Sequence, residues 1–272
     1  MRLEKLSERD YAILKYLAYG PSNIASIGKK FFPLQKNECD MVRQTESAKG
    51  VFSKYLYKRM EKLQNAGLLQ YKRADLHDSP IVVLQEEGAR EIAIRFGFDR
   101  DSIRTSFPKR TDLMHDLMVA STIRKMVEEA EEHDLYRIEY LHSAHYAKKS
   151  LKKGGRKEEG KRFLFPDFRI RIVPHKGSAY TFDIEIDAGN LGRSMACRKV
   201  FSLTNPVLIV APNSLRLKKL FEYLLTDMKK EPKELRPVYF ALWGLFIKNG
   251  MRFSDVILFP SGERGRLPVA CR

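Results

Sequence analysis

The chain has 272 residues, enough for two domains of ordinary size, and 43% of them are hydrophobic and 31% charged. This balance is typical of a globular protein and excludes an intrinsically disordered chain. Lys and Arg outnumber Asp and Glu by 50 to 34, and the formal net charge of +16 favours a polyanionic partner, most often nucleic acid.

Other classes of protein lack their sequence signatures here. The longest apolar run, 238–247, is half the ~20 residues that a bilayer span needs. The N-terminus MRLEKLSERD is charged where a secretory signal would be apolar. Cys39, Cys197 and Cys271 lie far apart, so neither a disulfide framework nor a zinc site is indicated. We therefore expect a cytoplasmic protein with no membrane partner.

The N-terminal part of the chain predicts a series of helices. Ser7 can cap the first, with Asp10 in the position that Glu or Gln takes in a capping box, and a Gly-Pro pair at 20–21 ends it. Ser22 or Asn23 can cap a short second helix. A third helix is predicted over 50–66 and ends at Gly67. Its buried face would consist of Phe52, Leu56, Met60 and Leu63.

Two short apolar runs, 67–73 and 79–85, follow the third helix and fit a β-hairpin. A further helix is predicted over 86–96. Three helices followed by a hairpin are the order of a winged helix-turn-helix, which we place at 1–107. In such a domain the third helix enters the major groove of DNA, and the hairpin contacts the backbone or the minor groove.

Basic residues collect on the third helix and the hairpin. From Lys49 to Asp75 there are seven basic residues, Arg59 among them, against two acidic ones. Such residues would neutralise phosphates, and polar side chains such as Gln64 could add contacts. The alternative is a solvated basic face on a winged domain that binds protein. The predicted DNA contacts here are Ser53, Lys54, Tyr57, Lys58, Lys62, Lys72 and Arg73.

Residues 108–272 form the second predicted domain. A long helix begins near Thr111 or Asp112, and a strand follows at 136–143. The next segment contains glycine and has eight Lys or Arg residues from 148 to 162, which predicts a surface loop that contacts a polyanion. Its candidate DNA contacts are Lys152, Lys153 and Arg156.

The alternating stretch TFDIEID puts Asp183, Glu185 and Asp187 on one face of a predicted strand, which forms a hairpin with the preceding strand FPDFRIRIVP. Three like charges on one face repel one another unless a positive group lies over them. That group is either a metal ion or Arg169 and Arg171 on the paired strand, and we expect Asp183 to serve only the arginines. A solvent-exposed hydrophilic face is the other alternative.

A helix is predicted over 191–203, a buried strand at 206–212, a second helix over 214–229 and a further strand at 237–243. The order of one helix, three strands, a helix and a strand resembles the PD-(D/E)-x-K nuclease fold. The resemblance implies a restriction-endonuclease-like mixed sheet flanked by helices. With the winged domain, it gives the chain an α/β (α+β) class.

The same resemblance implies that Asp167 and Glu185 hold one divalent cation, Mg²⁺ or Mn²⁺, because hard cations prefer oxygen ligands. Such an ion would polarise a scissile phosphate and lower the pKa of an attacking water. The motif has a lysine two residues after the second acid, where this sequence has Asp187, which we expect as a third ligand. Lys199 or Arg198, on the following helix, could supply the positive side chain that the motif lysine provides.

The fragments LSERDYAILKYL, LQNAGLL, LMHDLMVA, PDF and FDIEIDAGN resemble, in their order and spacing, the replication-relaxation family of plasmid and mobile-element proteins. The resemblance implies a winged-helix DNA-binding domain joined to a nuclease-like domain, with roles in replication and DNA relaxation. It also singles out His115 as a general base, a phosphate contact or a ligand beside Asp167. A partly exposed structural histidine is the alternative.

Two functions follow from these patterns. The first is a double-stranded DNA-binding protein of a plasmid or other mobile element, acting in replication, relaxation or regulation, with a divergent nuclease-like domain. The second is an active metal-dependent DNA endonuclease or nickase targeted by the winged helix. A basic interaction protein with an acidic partner is a third alternative. A homodimer, and other replication or transfer proteins as partners, also stay open.

Overall fold

The computed structural model describes residues 6–33, 55–72, 80–133, 136–142, 165–175, 178–230, 236–249 and 256–265. Helices and two sheets are both present, so the predicted α/β class is confirmed. The chain divides into two compact units, Met1–Ala120 and Ser121–Arg272. Each unit is described separately below.

The first unit has the element order of a winged helix-turn-helix. Its strands form a three-stranded antiparallel sheet in the order β1-β3-β2. The elements are α1 (Glu8–Ala18), β1 (Ser22–Asn23), α2 (Ile24–Phe31), α3 (Tyr55–Asn65), β2 (Leu69–Lys72), β3 (Ile81–Leu84) and α4 (Glu86–Phe96).

Local signals in the sequence account for the ends of these helices. Ser7 caps α1 and forms the predicted capping box with Asp10. Asn23, one of the two candidates, caps α2 by accepting a hydrogen bond from the backbone N–H of Ser26 at 2.7 Å. Gly67 has φ +72° just after α3, a conformation that L side chains rarely adopt.

One apolar core holds the first unit together. Leu56, Met60 and Leu63 on α3 are fully buried, as the periodicity predicts, and they join Ile13 and Leu17 of α1 in the same cluster. Helix α3 is thus held by its buried face, and its described residues Tyr57, Lys58 and Lys62 are exposed.

The second unit is built on a seven-stranded sheet in the order β10-β9-β8-β7-β6-β5-β4. Strands β6, β7 and β8 run parallel to one another, and the remaining neighbours pair antiparallel. The elements are α5 (Leu113–His133, which contains the boundary between the units), β4 (Tyr136–His142), β5 (Phe168–Pro174), β6 (Tyr180–Ile186), α6 (Arg193–Ser202), β7 (Val207–Ala211), α7 (Ser214–Lys230), β8 (Val238–Leu242), α8 (Trp243–Asn249), β9 (Val256–Phe259) and β10 (Arg264–Gly265).

The predicted order of one helix, three strands, a helix and a strand is confirmed for α5 through β7. All five residues of β7 are buried, as expected for a strand covered on both faces. The short strands β9 and β10 had no clear pattern in the sequence. Within the described ranges, no helix is both long and apolar enough to cross a bilayer.

Helices α6 and α7 cover one face of the large sheet. Residues of both helices share a core cluster with Val207, Ile209 and Ala211, the alternate residues of β7. In the parallel pairing, Asp183 lies opposite Val207 and Glu185 opposite Ile209. The acidic face of β6 therefore lies on the side of the sheet that these two helices cover.

Candidate functional site

The three carboxylates of the alternating strand are buried. Asp183 is 0% exposed, and Glu185 and Asp187 are each 1% exposed. The alternative of a solvent-exposed hydrophilic face is therefore wrong, because α6 and α7 lie over this side of the sheet. Buried carboxylates need positive partners, and each of the three has one.

Asp183 is paired with Arg169, as expected. The two residues lie directly opposite each other on β6 and β5, and the guanidinium donates from two nitrogens to the two carboxylate oxygens. Asn205 adds a hydrogen bond to Asp183 at 3.2 Å. Arg171, the other proposed partner, instead contacts Glu139 on β4 at 3.2 Å. Of the two arginines of β5, only Arg169 therefore neutralises an acid of β6, and that acid is Asp183.

Lys199 joins Glu185 and Asp167. Its ammonium forms an ion pair with Oε1 of Glu185 and lies 3.6 Å from Oδ1 of Asp167. The other oxygen of Asp167 accepts a hydrogen bond from the backbone N–H of Ile186 at 2.7 Å, which ties the acid to β6. Asp167 just before β5, Glu185 on β6 and Lys199 on α6 thus meet at one point.

The protonation of Lys199 is set by opposing effects. Burial lowers the pKa of the ammonium group, but the charges of Asp167 and Glu185 and their hydrogen bonds outweigh it and raise the pKa above its usual value. The two acids therefore favour the protonated form of Lys199.

Asp187 has a different partner, Arg216 at the start of α7. Arg216 donates from Nε and Nη2 to the carboxylate and from Nη2 to the carbonyl oxygen of Leu191. The backbone N–H groups of Gly189 and Leu191 also donate to Oδ1 of Asp187, at 3.0 and 3.1 Å. Asp187 thus fixes the loop between β6 and α6, and the contacts do not group it with Asp167 and Glu185.

Asp167 and Glu185 form the smallest carboxylate set suited to a divalent ion. Mg²⁺ is commonly held by one or two carboxylates, with water and substrate phosphate completing its coordination. Both acids already contact a single cationic atom, Nζ of Lys199. No cluster of three or more His, Cys, Asp or Glu residues suited to a metal occurs within the described ranges. Asp167 and Glu185, without Asp187, are thus the two carboxylates that could hold such an ion.

His115 lies on α5, in the first unit, and its side chain is 27% exposed. Its Nδ1 is 3.6 Å from Oδ1 of Asp116, whose other oxygen accepts a hydrogen bond from Arg104 at 2.7 Å. These contacts agree with the alternative that His115 is a partly exposed structural histidine. Its role beside Asp167, which lies in the second unit, stays a prediction.

The predicted DNA face of α3 is exposed where the structure describes it. Tyr57 is 50% exposed, and Lys58 and Lys62 are both exposed on successive turns. At the end of β2, the ammonium of exposed Lys72 lies 4.2 Å from the ring centre of Phe107. The other predicted contacts lie outside the described residues: Ser53, Lys54, Arg73, Lys152, Lys153 and Arg156.

Two residues of the predicted DNA surface have structural roles instead. Arg59 donates from Nε and Nη2 to the carboxylate of buried Asp10, joining α3 to α1. Oε1 of Gln64 accepts a hydrogen bond from the backbone N–H of Tyr71 at 2.9 Å, joining α3 to β2.

Comparisons with known proteins add little. Neither a protein-family model nor a curated protein matches the chain. A crystal structure of Bacillus subtilis PadR in complex with operator DNA is similar at 18% identity, covering 60% of this chain and 84% of that chain, with a TM-score of 0.23. A TM-score this low does not establish a common fold.

Proposed function

We propose that the protein binds double-stranded DNA through α3 and the adjoining hairpin of the first unit. The observation that carries this proposal is the exposed pair Lys58 and Lys62, one helical turn apart on α3. Neither has an acidic partner among the residues that the structure describes. Unpaired cations on this helix would contribute directly to phosphate binding.

The element order of the first unit supports the same proposal. In winged domains the helix in the position of α3 lies in the major groove, and the hairpin that follows contacts the backbone or minor groove. Tyr57 and Lys72 are exposed on those two elements. The net charge of +16 would draw DNA to the surface from a distance.

Salt-dependent binding tests this function. A mobility-shift titration of duplex DNA should show log affinity falling with log salt by about one unit for each phosphate neutralised. The double variant Lys58→Ala/Lys62→Ala should weaken binding and reduce the slope by up to about two units. Lys29→Ala, which removes an exposed lysine from α2, is the matched control. Unchanged affinity and slope in the double variant would remove α3 from the interface.

We also propose metal-dependent DNA cleavage as a second function, and Lys199 is the observation that favours it. The sequence lacks the lysine of the PD-(D/E)-x-K motif, but Lys199 brings an ammonium group to Glu185 and Asp167 from α6. A divalent ion held by the two acids would supply polarisation of the phosphate and an activated water. Lys199 would stabilise the charge that develops on the attacked phosphate.

A plasmid assay separates the two functions. Supercoiled plasmid incubated with the protein and Mg²⁺ or Mn²⁺ should be converted to the nicked or linear form. Lys199→Ala and Glu185→Gln should each abolish conversion, whereas Lys218→Ala, an exposed lysine on α7, should not. If DNA is bound but never converted, the second unit serves as a scaffold or an added DNA contact.

The most specific part of the proposal is that the protein acts in a plasmid or other mobile element. Its role there would be in replication, relaxation or regulation. It rests on the resemblance of the sequence fragments to the replication-relaxation family and on the presence of both units in one chain. Conversion of supercoiled plasmid to covalently closed relaxed circles, dependent on Lys199, would support it, because cleavage alone gives nicked circles.

A further inference from the structure

A groove of about 450 Å³ lies in the first unit where α1, the end of α2 and α3 meet. This volume is within the range of small-molecule sites. The groove is lined by Ser7, Arg9, Asp10, Phe32, Tyr55, Lys58, Arg59 and Lys62.

The groove is positively charged. Among the described residues that line the groove, Asp10 is the one acid, and its charge is balanced by the ion pair with Arg59. Hydrogen bonds from the backbone N–H and hydroxyl of Ser7 also satisfy that carboxylate, at 2.7 and 2.6 Å. The charges of Arg9, Lys58 and Lys62 are left without an acidic partner in the described part of the chain.

Aromatic rings lie among these cations. Tyr55 is 58% exposed at the groove. The guanidinium of Arg9 lies 5.3 Å from the ring centre of buried Phe32, which holds the arginine head at the groove wall. The groove thus offers an aromatic surface next to three cations, and it is far larger than one phosphate group.

We propose that this groove binds a nucleotide, with the base against Tyr55 and the phosphate held by Arg9, Lys58 and Lys62. Aromatic rings stack on bases whatever their sequence, and cations bind phosphate. A free nucleotide and an unstacked nucleotide of DNA offer the same chemistry. This inference deepens the proposed DNA binding, because Lys58 and Lys62 belong to both surfaces, so a bound free nucleotide should compete with DNA.

Isothermal titration of the full-length protein with adenosine monophosphate, in low salt and without DNA, tests the groove. Adenosine and inorganic phosphate serve as probes of the two halves of the ligand, and each should bind more weakly than the nucleotide. Tyr55→Ala and Arg9→Ala should each weaken nucleotide binding about tenfold or more. Lys29→Ala, which removes an exposed lysine outside the groove, should leave nucleotide binding unchanged.

Two results would overturn the proposal. One is the absence of nucleotide binding in a protein that still binds duplex DNA, which would leave the proposed function intact. The other is that nucleotide and inorganic phosphate bind equally well and that Tyr55→Ala has no effect on either. For this result to count, Tyr55→Ala must be folded, which unfolding at the wild-type temperature shows.

A DNA arm identifies the source of the nucleotide. Tighter binding of a duplex with one bulged adenine than of a fully paired duplex, lost in Tyr55→Ala, would support the groove and assign it to DNA. Equal binding of both duplexes, with displacement of either by adenosine monophosphate, would support the groove and assign it to a free nucleotide.

Discussion

Arg216 and Asp187 form a bidentate ion pair that ties the start of α7 to the loop after β6. The side chain of Asp187 is 0% exposed and that of Arg216 is 12% exposed. The same guanidinium also donates to the carbonyl oxygen of Leu191. One arginine thus holds both the acid and the loop that leads to the helix carrying Lys199.

Loss of this arginine should destabilise the protein strongly. Arg216→Ala leaves a buried carboxylate without its cation, and breaking such a pair costs about 3–5 kcal/mol. Arg90→Ala is the matched control, because Arg90 pairs with Glu87 at the surface and such pairs contribute about 0–1 kcal/mol. Urea unfolding of both variants measures the difference.

The double variant Arg216→Ala/Asp187→Asn checks the cause of that loss. Removing the buried charge together with its partner should restore part of the stability. If Arg216→Ala is no less stable than Arg90→Ala, the pair does not stabilise the fold.

Divalent metal should bind more tightly when Lys199 is removed. Lys199 contacts both Glu185 and Asp167, so its ammonium competes with a metal ion for the same oxygens. Calorimetry with Mg²⁺ and Mn²⁺ should show stronger binding to Lys199→Ala than to the wild type, and none to Glu185→Gln. Absence of metal binding in the wild type and in Lys199→Ala, with or without DNA, would rule out the cation site.

Asp10 should contribute a pH-dependent part of the stability. Burial raises the pKa of its carboxyl, but hydrogen bonds from Arg59 and Ser7, together with the Arg59 charge, outweigh this and hold the pKa below its usual value. A lowered folded-state pKa stabilises the protein above the unfolded pKa of about 3.9 and loses that effect as pH falls through the folded value.

Unfolding of wild type and Asp10→Asn across pH measures this contribution. The stability difference between them should be constant at neutral pH and shrink as pH falls below about 4. Glu61→Gln, which removes an exposed carboxylate from α3, is the control. A difference that stays constant down to strongly acid pH would contradict the assignment.

Gly88 on α4 should not tolerate a side chain. A Cβ at this position would lie 2.0 Å from the carbonyl oxygen of Leu68, a backbone atom that also accepts a hydrogen bond from Gln85. Gly88→Ala should therefore lower the free energy of unfolding by at least about 1–3 kcal/mol, the usual cost of overpacking a core. Gly192→Ala, where no atom lies within 4 Å, should be near neutral. Equal thermal stability of the two variants would contradict this.

Much of the fold could be predicted from the sequence because its signals are local. The Ser7 cap, the buried stripe of α3 and the glycine that ends it all lie within short stretches. The helical periodicity of α6 could also have shown that Lys199, and not Arg198, faces the acids. Lys199 lies three residues after buried Ala196 and beside Val200, whereas Arg198 points to solvent.

The rest of the candidate site depends on contacts between distant residues. The pairing of Arg216 with Asp187 joins residues 29 positions apart and requires α7 to pack on the β6 face. The pairing of Arg59 with Asp10 spans 49 positions. Neither contact leaves a pattern in its own stretch of sequence. From the sequence alone, both arginines therefore look like ordinary surface charges.

The alternating charges of β6 also specify the register of this strand against β5. Arg169 lies directly opposite Asp183, and the apolar face of the strand carries Phe182 and Ile184. A slip of one residue against β5 would turn every acid towards the apolar side and separate it from its cation. Mispaired sheets, including pairing with β6 of a second copy, would bury these acids without their cations. The buried charges therefore favour a single arrangement of strands during folding.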